Sequence, residues 1–290
     1  MTIMQFEPSE LIIKPDGSIY HLGLLPEDLP DHIITVGDPD RVEHVSKHFD
    51  QITKKVQRRE FVSHIGRLGD NNIMCISTGI GTDNIDIVIN ELDALANIDF
   101  SSRIPKKQKR RLNIYRLGTS GTVRPDINVD EMIISSYGVG FDGLAFFYNI
   151  GTRSKELEDT INNVVGQELP EVRVYASPAG EEAFAKFSKI SKFKKGITLT
   201  LPGFYGPQGR LLRGGAQSVN FIDLVASISY RGYFVTNIEM ETSGIYYLAS
   251  ALGHNALSLN AILANRSSKV FSVNPNKTVD KLIKAFFDNF

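Results

Sequence analysis

The chain is expected to fold as an α/β domain, and three observations lead there. A strand-like apolar run ends in a glycine-bearing turn three times, at Gly37, at Gly79 to Gly81 and at Gly118 to Gly121, and a helical stripe follows the first two. A further run, Tyr233 to Val235 and on toward Glu239, gives way to a helix beginning near Thr242. Composition is that of an ordinary globular protein: 290 residues, 42% hydrophobic and 22% charged. No internal repeat, low-complexity linker or domain boundary divides the chain, so residues 1–290 are expected as one domain with 1–30 as an extended arm.

That arm carries Pro8, Pro15, Pro26 and Pro30 among turn residues, with Tyr20-His21-Leu22-Gly23-Leu24 as an apolar-aromatic patch suited to docking on a partner subunit. His21 reads either as a satisfied buried histidine or as a donor to a ligand oxygen. The strand Ile33 to Val36 then runs into Gly37-Asp38-Pro39-Asp40-Arg41, and Val42, Val45 and Phe49 form a helical stripe. Glycine admits close approach, a helix start offers unpaired N–H groups and Arg41 adds a planar cation, so the turn suits an oxyanion or is a plain βα turn. Gln57 to Val62 is expected as a strand, which would point Arg58 and Arg59 to opposite faces, with a turn near Gly69-Asp70-Asn71.

Ile73 to Ser77 forms the next strand, followed by Thr78-Gly79-Ile80-Gly81-Thr82 and a helix with Ile85, Val88, Ile89 and Leu92 on one face. The third glycine of a dinucleotide fingerprint is missing, which argues against NAD. Ser101 to Arg111 is a basic cluster without apolar periodicity, expected as a solvated loop. Leu112 to Leu117 returns to strand character and ends in Gly118-Thr119-Ser120-Gly121-Thr122, where hydroxyls, glycine backbone and Arg116 could cradle a phosphate. Met132 to Ser135 and Leu144 to Phe147 read as strands, and Lys155 to Val165 as a helix.

Ile197 to Leu201 delivers the loop Pro202-Gly203-Phe204-Tyr205-Gly206-Pro207-Gln208-Gly209-Arg210. Its aromatics can stack on a flat ring, and Gln208 and Arg210 can address a polar ring edge; an ordinary Gly/Pro loop is the alternative. In Asn237 to Tyr247, Glu239 and Glu241 flank Met240. The carboxylates can accept from a sugar's paired hydroxyls while the thioether lies on its apolar side, or they complement the helix N-terminus. Ala256 to Leu263 is a last buried strand leading to Asn265-Arg266, and Val279 to Phe287 an amphipathic helix.

Bulk properties exclude several classes. The formal net charge of −1 gives no global attraction to nucleic acid or an anionic membrane. The single cysteine, Cys75, lies in an apolar strand and excludes an intrachain disulfide, as expected in a reducing compartment. The start, Met-Thr-Ile-Met-Gln-Phe-Glu-Pro, lacks a signal-peptide pattern, and no apolar stretch approaches the roughly 18 residues of a membrane span, so a soluble cytoplasmic protein is expected.

Taken in order, these turns resemble the uridine phosphorylase branch of the nucleoside phosphorylase family from about His21 to Arg266. The motifs that carry the resemblance are His21-Leu22-Gly23-Leu24, Gly37-Asp38-Pro39-Asp40-Arg41, Arg59-Glu60-Phe61, Ser77-Thr78-Gly79-Ile80-Gly81, Arg116-Leu117-Gly118-Thr119-Ser120-Gly121 and Glu239-Met240-Glu241. The resemblance implies a three-layer α/β/α fold around a mixed sheet. It further implies that Gly37, Arg41, Arg59, Arg116 and Thr119 bind phosphate, with Arg59 supplied by a partner subunit. Met240 and Glu241 would hold the ribose, and His21 would reach across a dimer interface to its primary hydroxyl. The loop Phe204 to Arg210 looks like the pyrimidine-reading insertion of this branch, in which Gln208 and Arg210 read uracil with Phe204 and Arg266 beside them.

The implied reaction is reversible phosphorolysis of uridine, or of deoxyuridine or thymidine, to uracil and a pentose 1-phosphate, in pyrimidine salvage. Arg116, Glu241, Gln208 and Arg210 would be the catalytic set, phosphate a co-substrate and no cofactor needed, in a homodimer or dimer-based hexamer. Related purine enzymes place an aspartate after the last core strand, where this chain has Asn265-Arg266, which argues against purines. Family members also hold a monovalent cation, such as potassium, through a glutamate matching Glu60, but Asn84 stands where a serine is expected. The rival readings are a purine nucleoside phosphorylase, a nucleoside hydrolase on the same fold, which would not need three phosphate arginines, and a non-catalytic nucleoside-binding protein.

Overall fold

The computed structural model describes residues 5–218 and 220–290, so the first four residues of the expected arm lie outside it. The strands of the main sheet are β1 (His32–Val36), β2 (Gln51–Arg58), β3 (Phe61–Leu68), β4 (Asn71–Ser77), β5 (Asn113–Thr122), β6 (Met132–Gly140), β7 (Tyr175–Pro178), β8 (Phe193–Thr200), β9 (Ser229–Tyr230), β10 (Tyr233–Glu239), β11 (Asn255–Asn265) and β12 (Val270–Phe271). Among the described residues they form a twelve-stranded mixed sheet in the order β9-β10-β8-β6-β11-β5-β1-β4-β3-β2, with β12 on β11 and β7 on β6. The centre is parallel, β1 pairing with β4 and β5, whereas β2, β3 and β4 form an antiparallel meander.

Helices cover both faces: α1 (Pro39–Ser46), α2 (Thr82–Asn97), α3 (Lys155–Val165), α4 (Glu181–Phe187), α5 (Phe221–Ala226), α6 (Thr242–Ala251) and α7 (Pro275–Phe287). The layering follows from the two-residue period of the strands. Ile33, Met74 and Ile114 pack with Ile85, Ile89, Ile245 and Leu248 of α2 and α6. Their neighbours Ile34, Cys75 and Tyr115 pack with Val42, Phe187 and Phe286 of α1, α4 and α7 on the other face. The expected three-layer architecture is the one observed. None of its helices is long and apolar enough to cross a membrane among the described residues.

Several local expectations are corrected. Gly118 to Thr122 is not a turn but the continuation of β5, paired with β11 as far as Thr122 and, antiparallel, with β10 at Gly121 and Thr122. Small side chains let this half of the strand coil, so that β5, β11, β6, β8 and β10 close into a ring. Leu144 to Phe147 is a 3-10 turn entered through Gly143 at φ +82°, a conformation a strand cannot take. Arg59 and Glu60 form the tight turn between β2 and β3, Arg59 at φ +52°, so the two arginines do not alternate along one strand.

The arm packs on its own chain. Leu11, Ile19, Leu22, Leu24 and Leu29 are all buried in the α2/α6 core. The basic cluster is likewise not a loose solvated loop: Arg103 donates to the Leu11 carbonyl, Lys106 to that of Ala96, and Arg110 to the Leu29 carbonyl and the Asp31 carboxylate. Three cations thus pin the arm and the end of α2 through backbone carbonyls.

Candidate active site

The ends of β1, β4, β5, β8 and β10 open on one cavity of about 630 Å³, within the range of small-molecule sites. Gly37, Asp38 and Arg41 line one end, Gly79, Ile80, Arg116 and Thr119 the next section, then Glu239, Met240 and Glu241, and Phe204, Gln208 and Arg210 the far wall. The sheet brings these thirteen residues together from positions 37 to 241.

The first end is built differently from expectation. Asp38 caps α1, its side chain accepting the Asp40 N–H at 3.0 Å, so the helix start is satisfied from within, and Arg41 there forms no salt bridge among the described residues. Burial pushes the Arg41 guanidinium below its usual range, with Asp38 partly restoring it. Such a desolvated cation is stabilised by an incoming anion. Thr119 lies half-buried on the same wall.

Arg116 is the centre of the charge network. It is 5% exposed. Its Nη2 donates to Glu241 Oε2 at 2.5 Å and lies 2.9 Å from Glu239 Oε2, while Nη1 donates to Asn260 Oδ1 at 2.8 Å. Burial opposes its charge, but Glu239 and Glu241 more than offset this and hold it above the usual range. Arg116 therefore reaches the cavity chiefly as the anchor of Glu241, with its remaining N–H groups left for an anion. Gly118 is required here, because a Cβ at that position would sit 1.8 Å from Arg116 Nη1.

The two glutamates divide the alternatives left open by the sequence. Glu239 accepts the N–H groups of Glu241 and Thr242 and the Thr200 hydroxyl, which makes it the acid of the α6 N-terminus. Its expected sugar contact is corrected for that reason. Glu241 has one oxygen on the Gly81 N–H at 2.8 Å and the other on Arg116, and it faces the cavity beside Met240. Burial, against the pull of Arg116, pushes its carboxyl above the usual range. The Gly79 to Gly81 turn thus serves as the backbone holding Glu241.

At the far wall Gln208 is buried, and Arg210 stacks on the Phe204 ring at 3.7 Å while donating to the Phe204 carbonyl and to Gln208 Oε1. Burial and then the charge of Arg266 depress the Arg210 guanidinium. Arg266 stands behind Gly121, its Nη1 buried without a partner among the described residues. Asn265 is structural: its amide donates to the carbonyls of Arg124 and Ile127 and its oxygen accepts the Ser268 N–H. Asn265→Asp removes both donors and is expected to cost about 1–3 kcal/mol in urea denaturation without conferring inosine cleavage.

His21 and Arg59 do not line this cavity. His21 is held by Glu91, and Arg59 is exposed with its guanidinium 5.9 Å from the Tyr20 ring centroid. Glu60 is exposed on the same turn, and no cluster of three metal-ligating side chains occurs among the described residues, so one chain does not make up a cation site there. The sequence reading missed Asn260, which orients Arg116, and Leu263, Ala264 and Phe271, which complete the cavity wall. The alternation Val270, Phe271, Ser272 after a turn was the available signal for β12.

A family model described as the phosphorylase superfamily matches residues 31–286. The chain belongs to the phosphorylase superfamily. Members similar to it include a uridine phosphorylase of Thermococcus kodakarensis, 28% identical over 274 residues, covering 93% of this chain and 85% of that protein. A DeoD-type purine nucleoside phosphorylase of Oceanobacillus iheyensis is 25% identical over 240 residues, covering 82% and 84%. Among superfamily structures, a Trypanosoma brucei nucleoside phosphorylase described as showing uridine phosphorylase activity aligns with a TM-score of 0.84 at 28% identity, covering 96% of this chain and 98% of that one.

Proposed function

We propose that this member of the superfamily is a pentosyltransferase that cleaves uridine with phosphate, reversibly, to uracil and ribose 1-phosphate. One observation carries the reading: a single cavity presents in series an arginine without an acidic ion-pair partner among the described residues beside a threonine, a carboxylate with a methionine, and an aromatic–amide–guanidinium wall. Arg41 after the Gly37 turn and Thr119 on β5 would hold phosphate below the sugar, with Arg59 of a second copy closing on it. Glu241 and Met240 would hold the ribose, and Phe204, Gln208 and Arg210 the base, with Arg266 adding positive potential behind them.

The chemistry then needs no covalent nucleophile. The glycosidic bond stretches, electron density moves onto uracil, and N–H donors of Gln208 and Arg210 stabilise its oxygens as an oxyanion hole does. The sugar gains oxocarbenium character, which the phosphate dianion stabilises before its oxygen bonds to the anomeric carbon. Arg116 holds Glu241 so that the sugar diol is fixed during this step. No step is assigned to a cation at Glu60. The reading carries with it a cytoplasmic place in pyrimidine salvage and an assembly of at least a homodimer.

Base release from uridine and from inosine tests the specificity. Uracil release with inosine inert is expected; cleavage of inosine would mean that the far wall does not read a pyrimidine. Arg41→Ala is expected to raise the phosphate KM by about tenfold to a hundredfold, the loss of a charge-assisted hydrogen bond, with kcat little changed. Steady-state kinetics at varied phosphate measure it.

A further inference from the structure

Glu91 has no place in the cavity, yet three N–H donors converge on its carboxylate. It sits on α2, its side chain 14% exposed, and it accepts the backbone N–H of His21 at 3.1 Å, that of Leu22 at 2.9 Å, and His21 Nδ1 at 2.6 Å. The two backbone bonds account for the turn of the arm. The ring contact is additional to them, and it decides what the imidazole can do. A carboxylate only accepts, so Nδ1 carries the proton, and in the neutral ring Nε2 is left as an acceptor. Tyr20 packs edge-on against the imidazole at 4.8 Å, and Arg58 Nε donates to the Tyr20 carbonyl at 2.8 Å, which holds the Tyr20 backbone in place. The His21 side chain is nonetheless 27% exposed.

We infer that Glu91 is a positioning residue for the sugar's primary hydroxyl: it sets His21 with Nε2 outward as an acceptor, so that a second copy's bound nucleoside donates its 5′-hydroxyl to that nitrogen. The inference rests on the proposed uridine cleavage, with His21 of one copy reaching the primary hydroxyl of the nucleoside bound by another, and adds the direction of the hydrogen bond and the residue that enforces it. An outward acceptor favours a free hydroxyl over a 5′-phosphate, whose oxygens also only accept, so the same device selects nucleosides over nucleotides.

The test compares uridine with 5′-deoxyuridine in wild type, Glu91→Gln, His21→Ala and the double variant. Wild type should prefer uridine in kcat/KM by roughly tenfold, the worth of one ordinary hydrogen bond. Glu91→Gln keeps the shape but opposes an amide N–H to one of the donors. It should abolish most of that preference while leaving 5′-deoxyuridine turnover unchanged, and should add nothing in the His21→Ala background. Turnover of 5′-deoxyuridine is also the control for folding. An equal fall on both substrates would overturn the inference and make Glu91 a structural residue only. A wild type that cleaves uridine but shows no preference would overturn it through the placement of His21. Absence of any phosphorolysis would instead remove the proposed activity itself, and the inference with it.

Discussion

Replacing Arg116 with methionine is expected to lower stability by about 3–5 kcal/mol and to abolish uridine turnover. Glu239 and Glu241 are both buried, and Arg116 is the cation between them. Without it two carboxylates face each other in a low-dielectric site, a far larger cost than loss of a surface pair. Urea denaturation should show the midpoint falling. Adding Glu241→Gln to Arg116→Met should recover part of the stability but none of the turnover, because the sugar diol still lacks its charged acceptor. An unchanged midpoint for the single variant would mean that the network of Arg116, Glu239, Glu241 and Asn260 does not hold the site together.

The second large effect is expected at the base wall. Gln208→Ala and Arg210→Ala should each lower kcat with uridine by about 10²-fold, near 3 kcal/mol, with the phosphate KM little altered. The two should be non-additive, since Arg210 bonds Gln208 Oε1 and stacks on Phe204, so that removing either disturbs both. Steady-state kinetics of the single and double variants decide this. A raised uridine KM at constant kcat would mean that the wall binds the base equally in ground and transition states and contributes no leaving-group stabilisation.

Much of this site was legible because many of its residues sit at or just after strands. Gly37, Arg41, Thr119, Met240 and Glu241 follow apolar runs whose period marks them as strands, and ligands gather at such ends in α/β sheets. What local pattern could not supply was the pairing. Glu239 and Glu241 look alike in sequence and both line the cavity, yet Glu239 is taken up by the N–H groups at the start of α6 while Glu241 bonds the Gly81 N–H and Arg116, because the strand ends at Glu239 and the helix start turns Glu241 toward different neighbours. Arg116 reads as a free cation until Glu239 and Glu241, far along the chain at the end of β10, are brought beside it.

Glycine misled the reading at Gly118 to Gly121. Small residues there allow a strand to coil and close a ring, and a turn has the same composition. Leu22 and Leu24 of the arm are apolar enough for an interface, and within the chain they are buried with residues of α2. Basic residues 103 to 110 read as solvated because their partners are backbone carbonyls, which leave no trace in sequence.

The central claim is that phosphate, and not water, takes the sugar from uracil. The ³¹P spectrum of a reaction containing uridine and phosphate tests it most directly. A sugar 1-phosphate ester signal growing in step with uracil, with no uracil formed when phosphate is omitted, is the predicted result. Uracil accompanied by free ribose and an unchanged phosphate signal would contradict it, and would make the cavity that of a hydrolase.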